Sequence, residues 1–94
     1  MRVISQDGRI DYPYEASMVF INARESNVIS IQSVGNTVVE ELARYSTEEK
    51  AIKAMEMLHE EYEKYKEYRS YHFFVWFNHP NVFRFPKDDE VQEE

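Results

Sequence analysis

One segment of the sequence has the pattern of a long amphipathic helix, and it constrains the fold more than any other feature. Its apolar residues fall within an arc of about 100°, which is the usual width of a stripe that faces a protein core. At its start, Ser46 and Glu49 have the spacing of a capping box, in which each side chain accepts a hydrogen bond from the other residue's backbone N–H. The pattern therefore predicts a helix over 47–69 with one buried face. The stripe consists of Ala51, Ala54, Met55, Leu58, Tyr62 and Tyr65.

The segments before this helix alternate with the period of strands. Asp7-Gly8 lies between short apolar runs and is a strong hairpin signal, because both residue types tolerate a positive φ. Gly35-Asn36 is a second turn signal, and the weaker alternation that follows it suggests a β-bulge. The three strands predicted after the first hairpin are 17–23, 27–34 and 37–45.

After the helix the period returns to two. The segments "YHFFVWFN" and "VFRF" flank "HPN", which predicts either a closing hairpin or one strand followed by an extended arm. We therefore expect an α+β fold, an antiparallel β-meander of about five or six strands with one long amphipathic helix packed on one face.

The stretch "YHFFVWF" at 71–77 is apolar on both faces of a predicted strand, as is 17–23. One helix covers only one face of a sheet, so the other face would expose several hundred Å², more than most monomers show. The sheet could curl, the arm "VFRFP" could fold over this face, or a second chain could cover it. We expect a second chain, most commonly a second copy. The predicted interface residues are Met18, Phe20, Tyr68, Phe74 and Trp76.

Tyr68 joins this set because tyrosines recur at 62, 65, 68 and 71. A spacing of three drifts off the core stripe of an α-helix, which moves Tyr68 toward the flank. Tyr68 is then either a packed residue at the helix end or part of an interface, where tyrosine is enriched.

Composition indicates one acidic domain without disulfides. The chain has 94 residues, a net charge of −7 and no cysteine. We expect a single α+β domain over 1–86 and a disordered acidic tail over 87–94, "KDDEVQEE". The acidic body disfavours direct binding to nucleic acid, and no apolar run approaches the ~20 residues that span a membrane. We expect a cytoplasmic protein that binds neither nucleic acid nor membranes.

No motif in the sequence supports catalysis. "HEEYE" at 59–63 resembles the zinc-protease helix motif, but Glu63 stands where the second histidine ligand is needed. There is no G-x-S-x-G, no glycine-rich phosphate loop and no carboxylate pair that spacing alone would bring together. The sequence therefore predicts no enzyme, no cofactor and no metal site.

Three segments carry a resemblance to known proteins. "MRVISQDGRIDYPYE", "ARYSTEEKAIKAMEMLHEEY" and "FRFPKDDEV" resemble a group of small uncharacterised proteins of Firmicutes, often found among phage or mobile-element genes. The resemblance covers about half of the chain. It implies a cytoplasmic accessory protein of a bacterium or its phage, and it brings no catalytic residues.

The leading functional hypothesis is a non-enzymatic module that forms a homodimer or binds a partner protein through a sheet face. One alternative is an acidic inhibitor of a nucleic-acid-binding host enzyme that acts through acids on the helix. Another is a small-ligand binder with a pocket between helix and sheet near Tyr62 and His72. The acids of the second hypothesis are Glu56, Glu60, Glu63 and Glu67.

Overall fold

The computed structural model describes residues 1–71 and 81–92, with side chains for 1–67 and 81–92. One long helix and six strands make up these residues, which confirms the α+β fold and the approximate strand number. Two short 3₁₀ turns, Tyr14–Ala16 and Asp88–Glu90, complete the regular structure. In chain order the main elements are β1 (Arg2–Ile4), β2 (Asp11–Pro13), β3 (Ser17–Ile21), β4 (Val28–Ser33), β5 (Val39–Arg44), α1 (Glu48–Tyr71) and β6 (Val82–Arg84).

The strands form two three-stranded sheets, in the orders β2-β1-β6 and β3-β4-β5. The second sheet is the expected antiparallel meander. In the first sheet, β6 pairs with β1 in parallel, so the strand from "VFRF" joins the first strand of the chain. Its predicted hairpin partner, 71–77, lies outside the described residues except for Tyr71, which is the last residue of α1.

Gln6 joins the two sheets. Its backbone N–H donates to the Leu42 carbonyl oxygen (2.8 Å), and its side-chain Oε1 accepts a hydrogen bond from the Arg44 N–H (3.1 Å). Its Nε2 donates to the Pro86 oxygen (3.2 Å), which also accepts a bond from the Tyr45 hydroxyl (2.7 Å). The ladder between β1 and β6 ends with the bond from the Phe85 N–H to the Ile4 oxygen, because the next β1-side donor, the Gln6 N–H, bonds to β5 instead.

The two glycine turns and the bulge follow the sequence signals. Gly8 has φ +79° and Gly35 has φ +85°, and no other described residue has a positive φ. Glycine is therefore needed at both turns, since a side chain disfavours this conformation. The register between β4 and β5 shifts between Ile29 and Ser30, where Leu42 is the extra residue of β5. This shift confirms the predicted bulge.

The helix buries the predicted stripe. Ala51, Ala54 and Leu58 have no exposed surface, Tyr65 is also buried, and Met55 and Tyr62 are partly buried against the same core. At about 1.5 Å per residue, the 24 residues of α1 span about 36 Å. Both sheets contribute to this core through residues such as Val3, Ile29, Ile31 and Phe83.

The predicted capping box at the helix start is wrong by one residue. Thr47 is the N-cap: its Oγ1 accepts a hydrogen bond from the Lys50 N–H (3.2 Å), and its carbonyl oxygen accepts the Ala51 N–H (3.3 Å). Ser46 instead donates its backbone N–H to Asp88 Oδ1 (2.7 Å). Serine is the better N-cap by residue type, so the use of Thr47 follows from the bond that Ser46 makes to the distant carboxylate.

Asp88 belongs to the segment that the sequence assigns to a disordered tail, and residues 87–92 of that segment pack on the body. Lys50 Nζ lies 3.2 Å from Asp88 Oδ2 and donates to the Asp88 carbonyl oxygen at 3.0 Å. Val91 is 3% exposed and belongs to the core cluster. A carboxylate at the positive end of a helix and one buried valine therefore hold a stretch whose composition is otherwise that of a solvated tail. The buried core thus includes a residue as far along the chain as Val91.

Candidate interaction surface

The two faces of the sheet β3-β4-β5 differ in character. Residues directly opposite each other in neighbouring strands share a face. Val19 lies opposite Ile31 and Ile21 lies opposite Ile29, and these four side chains face the core. The other face, called the open face below, is exposed at Met18 and Val39 but buried at Val28 (3%) and Ser30 (2%). Its residues are Met18, Phe20, Val28, Ser30, Gln32, Val39, Glu41 and Arg44.

An apolar cluster lies at one end of this sheet. Gln32 of β4 is opposite both Met18 of β3 and Val39 of β5, so Met18 and Val39 flank it on the open face. Val34 comes directly after the last residue of β4, and Val38 comes directly before Val39 on the other side of the turn. We call these four apolar residues the hairpin patch. The exposed large hydrophobic residues of the described chain are Met18 (52%), Val34 (71%), Val38 (57%), Val39 (47%) and, on the helix, Ile52 (44%).

The opposite end of the open face is charged. The Arg44 guanidinium lies 2.8 Å from a carboxylate oxygen of Glu25 and 2.9 Å from one of Glu41. Hydrogen bonds to Glu41 and then to Glu25 raise the pKa of Arg44 above its ordinary value. Beside them is a shallow depression of about 180 Å³ that includes Ser30, which is almost fully buried. The open face thus has an apolar end and an end where one arginine lies between two carboxylates.

Strand β3 forms one edge of this sheet, and its hydrogen bonds show which of its backbone groups point outward. The Asn22 N–H donates to the Val28 oxygen, and the Val34 N–H donates to the Ala16 oxygen, each at 2.9 Å. Residues of an antiparallel pair alternate between bonded and non-bonded positions. The even-numbered residues of β3 therefore bond to β4, and the odd-numbered ones direct their N–H and C=O groups to the edge.

The edge groups of Val19 and Ile21 have no hydrogen-bond partner within the described part of the chain. The third outward residue, Ser17, already donates its N–H to the Tyr14 carbonyl oxygen. Over Ser17–Ile21, "SMVFI", β3 contains no charge and no proline. Charge and proline are the usual means by which proteins prevent an edge strand from pairing with another chain.

The edge at β2 is protected in just this way. Pro13 has no N–H to offer, and Asp11 is charged and accepts hydrogen bonds from the Arg2 guanidinium. β2 is also only three residues long, against five in β3. The edge at β3 is therefore the better template for strand pairing.

The structure places the predicted interface residues unequally. Met18 and Phe20 lie on the open face of β3, Met18 exposed and Phe20 partly buried. Tyr68 lies on α1, but its side chain is not among those described; Phe74 and Trp76 are outside the described residues altogether. Their part in an interface stays a prediction.

Sequence reasoning missed the three valines of the hairpin patch. A signal was available in "SVGNTVVE", where valines flank a Gly-Asn turn and polar residues would be expected.

The helix–sheet region near Tyr62 holds packed rings. The Tyr14 ring lies against Tyr62 with centroids 4.7 Å apart, and Lys66 Nζ lies 5.3 Å from the Tyr62 centroid. Burial, followed by the nearby Tyr62, raises the pKa of Tyr14. Within residues 1–71 and 81–92 no group of three or more acids and histidines could hold a metal ion, and no helix is long and apolar enough to cross a membrane.

The chain matches no protein-family model, no curated protein and no solved structure. Its own surface geometry therefore carries the functional inference.

Proposed function

We propose that this protein is a non-enzymatic cytoplasmic module that associates with a second copy of itself through the edge of β3 and the hairpin patch. The observation that carries the proposal is the uncharged edge strand next to an exposed apolar cluster. Each feature alone is common on protein surfaces, but together they supply main-chain bonds and apolar area at one place. Two copies related by a two-fold axis would extend the sheet across the interface.

The free backbone groups favour one register. Two antiparallel β3 strands whose axis passes at Phe20 place Val19 of one copy opposite Ile21 of the other. All the N–H and C=O groups of these residues then form hydrogen bonds across the interface. An axis at Val19 would instead require Ser17, whose N–H is already bonded to Tyr14. In the favoured register the two Phe20 rings meet at the axis on the open face.

This interface is small, so the dimer should be weak. Interfaces below about 1,200 Å² belong to transient complexes, and we expect a dissociation constant of about 10–100 µM. The acidic-inhibitor hypothesis has less support, because one of its four acids, Glu63, already forms an ion pair in which Lys66 Nζ lies 3.3 Å from the carboxylate.

Sedimentation equilibrium over about 5–500 µM tests the proposal by measuring the dimer fraction. Met18→Lys places a charge on the open face of the edge strand and should lower the association constant at least about tenfold. Ile52→Lys is the matched control, since Ile52 has a similar exposure on α1 and lies outside the hairpin patch. It should leave the dimer fraction unchanged.

Amide hydrogen exchange distinguishes edge pairing from contact through side chains alone. The Val19 and Ile21 amides should exchange more slowly as the protein concentration rises through the dissociation constant. A chain that stays monomeric at about 500 µM, with both amides exchanging at the same rate throughout, would refute the proposal.

A further inference from the structure

The first sheet has a second free edge, at β6, and this edge borders a groove. The Arg2 N–H donates to the Asn81 oxygen (2.9 Å), and the Phe85 N–H donates to the Ile4 oxygen (3.1 Å). In a parallel pair alternate residues bond to the neighbouring strand. The odd-numbered residues of this segment therefore bond to β1, and the even-numbered ones face away from it.

The outward residues of β6 are Val82 and Arg84. Their backbone N–H and C=O groups have no hydrogen-bond partner among residues 1–71 and 81–92. The Arg84 side chain is directed away from this edge, because its Nη2 donates to the Gln6 carbonyl oxygen (3.3 Å). It also lies close to Gly8, where an added Cβ would be 3.3 Å from Nη2. The backbone edge is thus available while the guanidinium is held over the first turn.

Two adjoining depressions lie between this edge and the flank of α1. One has a volume of about 380 Å³ and the other about 520 Å³, and Met57 and Arg84 line both. Phe83 and Phe85, which are buried in the core, contribute apolar surface to the depressions. Together they form a groove with an edge strand on one side and a helix on the other.

The helical side of the groove is acidic. Glu60 and Glu61 of α1 line the smaller depression, whereas Lys87 and Glu90, which offset each other, both line the larger one. Lys64 offsets only part of this charge, because its Nζ is 3.8 Å from Glu61 and is well exposed. The part of an occupant that lies in the smaller depression must therefore be basic to match this charge.

From these features we propose that the β6 groove binds an extended basic peptide segment of another protein by β-strand addition. The unpaired backbone groups of Val82 and Arg84 provide main-chain hydrogen bonds to the added strand. Alternate side chains of a strand point to opposite faces, so one set of peptide side chains faces Met57, Glu60 and Glu61 together. Lys or Arg residues in that set can pack their aliphatic stems on Met57 while their charged ends reach the two carboxylates. This site is separate from the β3 edge and does not depend on self-association.

The probe is a five-residue peptide, Lys-Val-Lys-Val-Lys, acetylated and amidated, titrated into the full chain and followed by ¹H–¹⁵N NMR. The Val82 and Arg84 amide signals should shift with a dissociation constant of about 0.1–1 mM, which is reasonable for one short strand. Two further peptides serve as controls. Lys-Pro-Lys-Pro-Lys keeps the charge but removes two backbone donors, and Glu-Val-Glu-Val-Glu keeps the strand propensity but reverses the charge; both should bind at least about fivefold more weakly.

Two variants of the protein locate the charge effect. Glu61→Lys should weaken binding of the basic peptide at least about fivefold, and Glu63→Lys less than about twofold. The pair is matched because each acid has one lysine partner at i+3, and Glu63 does not line the groove. Unmoved Val82 and Arg84 signals at millimolar peptide, equal losses in both variants, or equal binding of the proline peptide would each overturn the proposal.

Discussion

Val91→Ala should destabilise the domain by about 2 kcal/mol. Val91 is 3% exposed within the core cluster. The substitution removes two methyl groups, each worth about 0.8 kcal/mol when buried, and a partly collapsed cavity adds several tenths. Unfolding entropy is about 2.1 cal/mol/K per residue, so for 94 residues a loss of 2 kcal/mol corresponds to a fall in Tm of about 10 °C.

Urea unfolding followed by the helical circular dichroism signal measures this change, with an unaltered slope showing that only stability has changed. Val34→Ala is the matched control, because it removes the same atoms at a position that is 71% exposed. Both proteins should be compared at low micromolar concentration, where self-association contributes least. If the free energy of unfolding of Val91→Ala lies within about 0.5 kcal/mol of that of the unsubstituted chain, residues 88–92 do not pack as described.

Three other substitutions test separate contacts. Tyr45→Phe removes the hydrogen bond from the tyrosine hydroxyl to the Pro86 carbonyl oxygen and should lower the free energy of unfolding in urea by about 1 kcal/mol. An unchanged free energy of unfolding would show that this bond does not form. Hydrogen bonding from Ser46 and then Lys50 lowers the pKa of Asp88. The contribution of this carboxylate to stability is therefore present above the ordinary carboxyl pKa of about 4 and is lost as pH falls through the lowered value. Asp88→Asn should be less stable than the parent at pH 7, the difference should shrink as the pH falls toward 2, and an equal difference at both pH values would contradict this. Trp76→Glu should lower the dimer fraction in sedimentation while the helical signal stays constant, and an unchanged fraction would remove Trp76 from the interface.

The elements that local patterns determine could be predicted from the sequence. The stripe from Ala51 to Tyr65 faces the core because its residues recur at the helical period, whatever lies opposite. Likewise, Gly8 and Gly35 occupy the two turns because those conformations are costly for residues with a Cβ. Such constraints act within a few residues of the chain, so they can be recognised without knowledge of the fold.

Features that depend on distant pairings could not be predicted in the same way. The N-cap is Thr47 because Ser46 bonds to Asp88, which is 42 residues away. The parallel pairing of β6 with β1 joins the two ends of the chain, and no local turn signal specifies such a contact. Val91 gave no periodic signal because it is a single apolar residue among polar and acidic ones. Its burial in the core nevertheless holds this segment against the body of the protein.

The candidate surface combines both kinds of information. The sequence of β3, "SMVFI", is that of a strand with neighbours on both sides, and Met18 and Phe20 could be recognised as apolar residues in excess of what one helix covers. That β3 is an edge strand follows only from the strand order. The composition of β3 suits the middle of a sheet, but the strand lies at the edge. Such disagreements between local sequence and position are expected where a protein binds a partner. The same reasoning separates β3 from β2, where Pro13 and Asp11 fit an edge that meets water. A second β3 strand would remove the disagreement, since it would supply the neighbour that the composition of this strand requires.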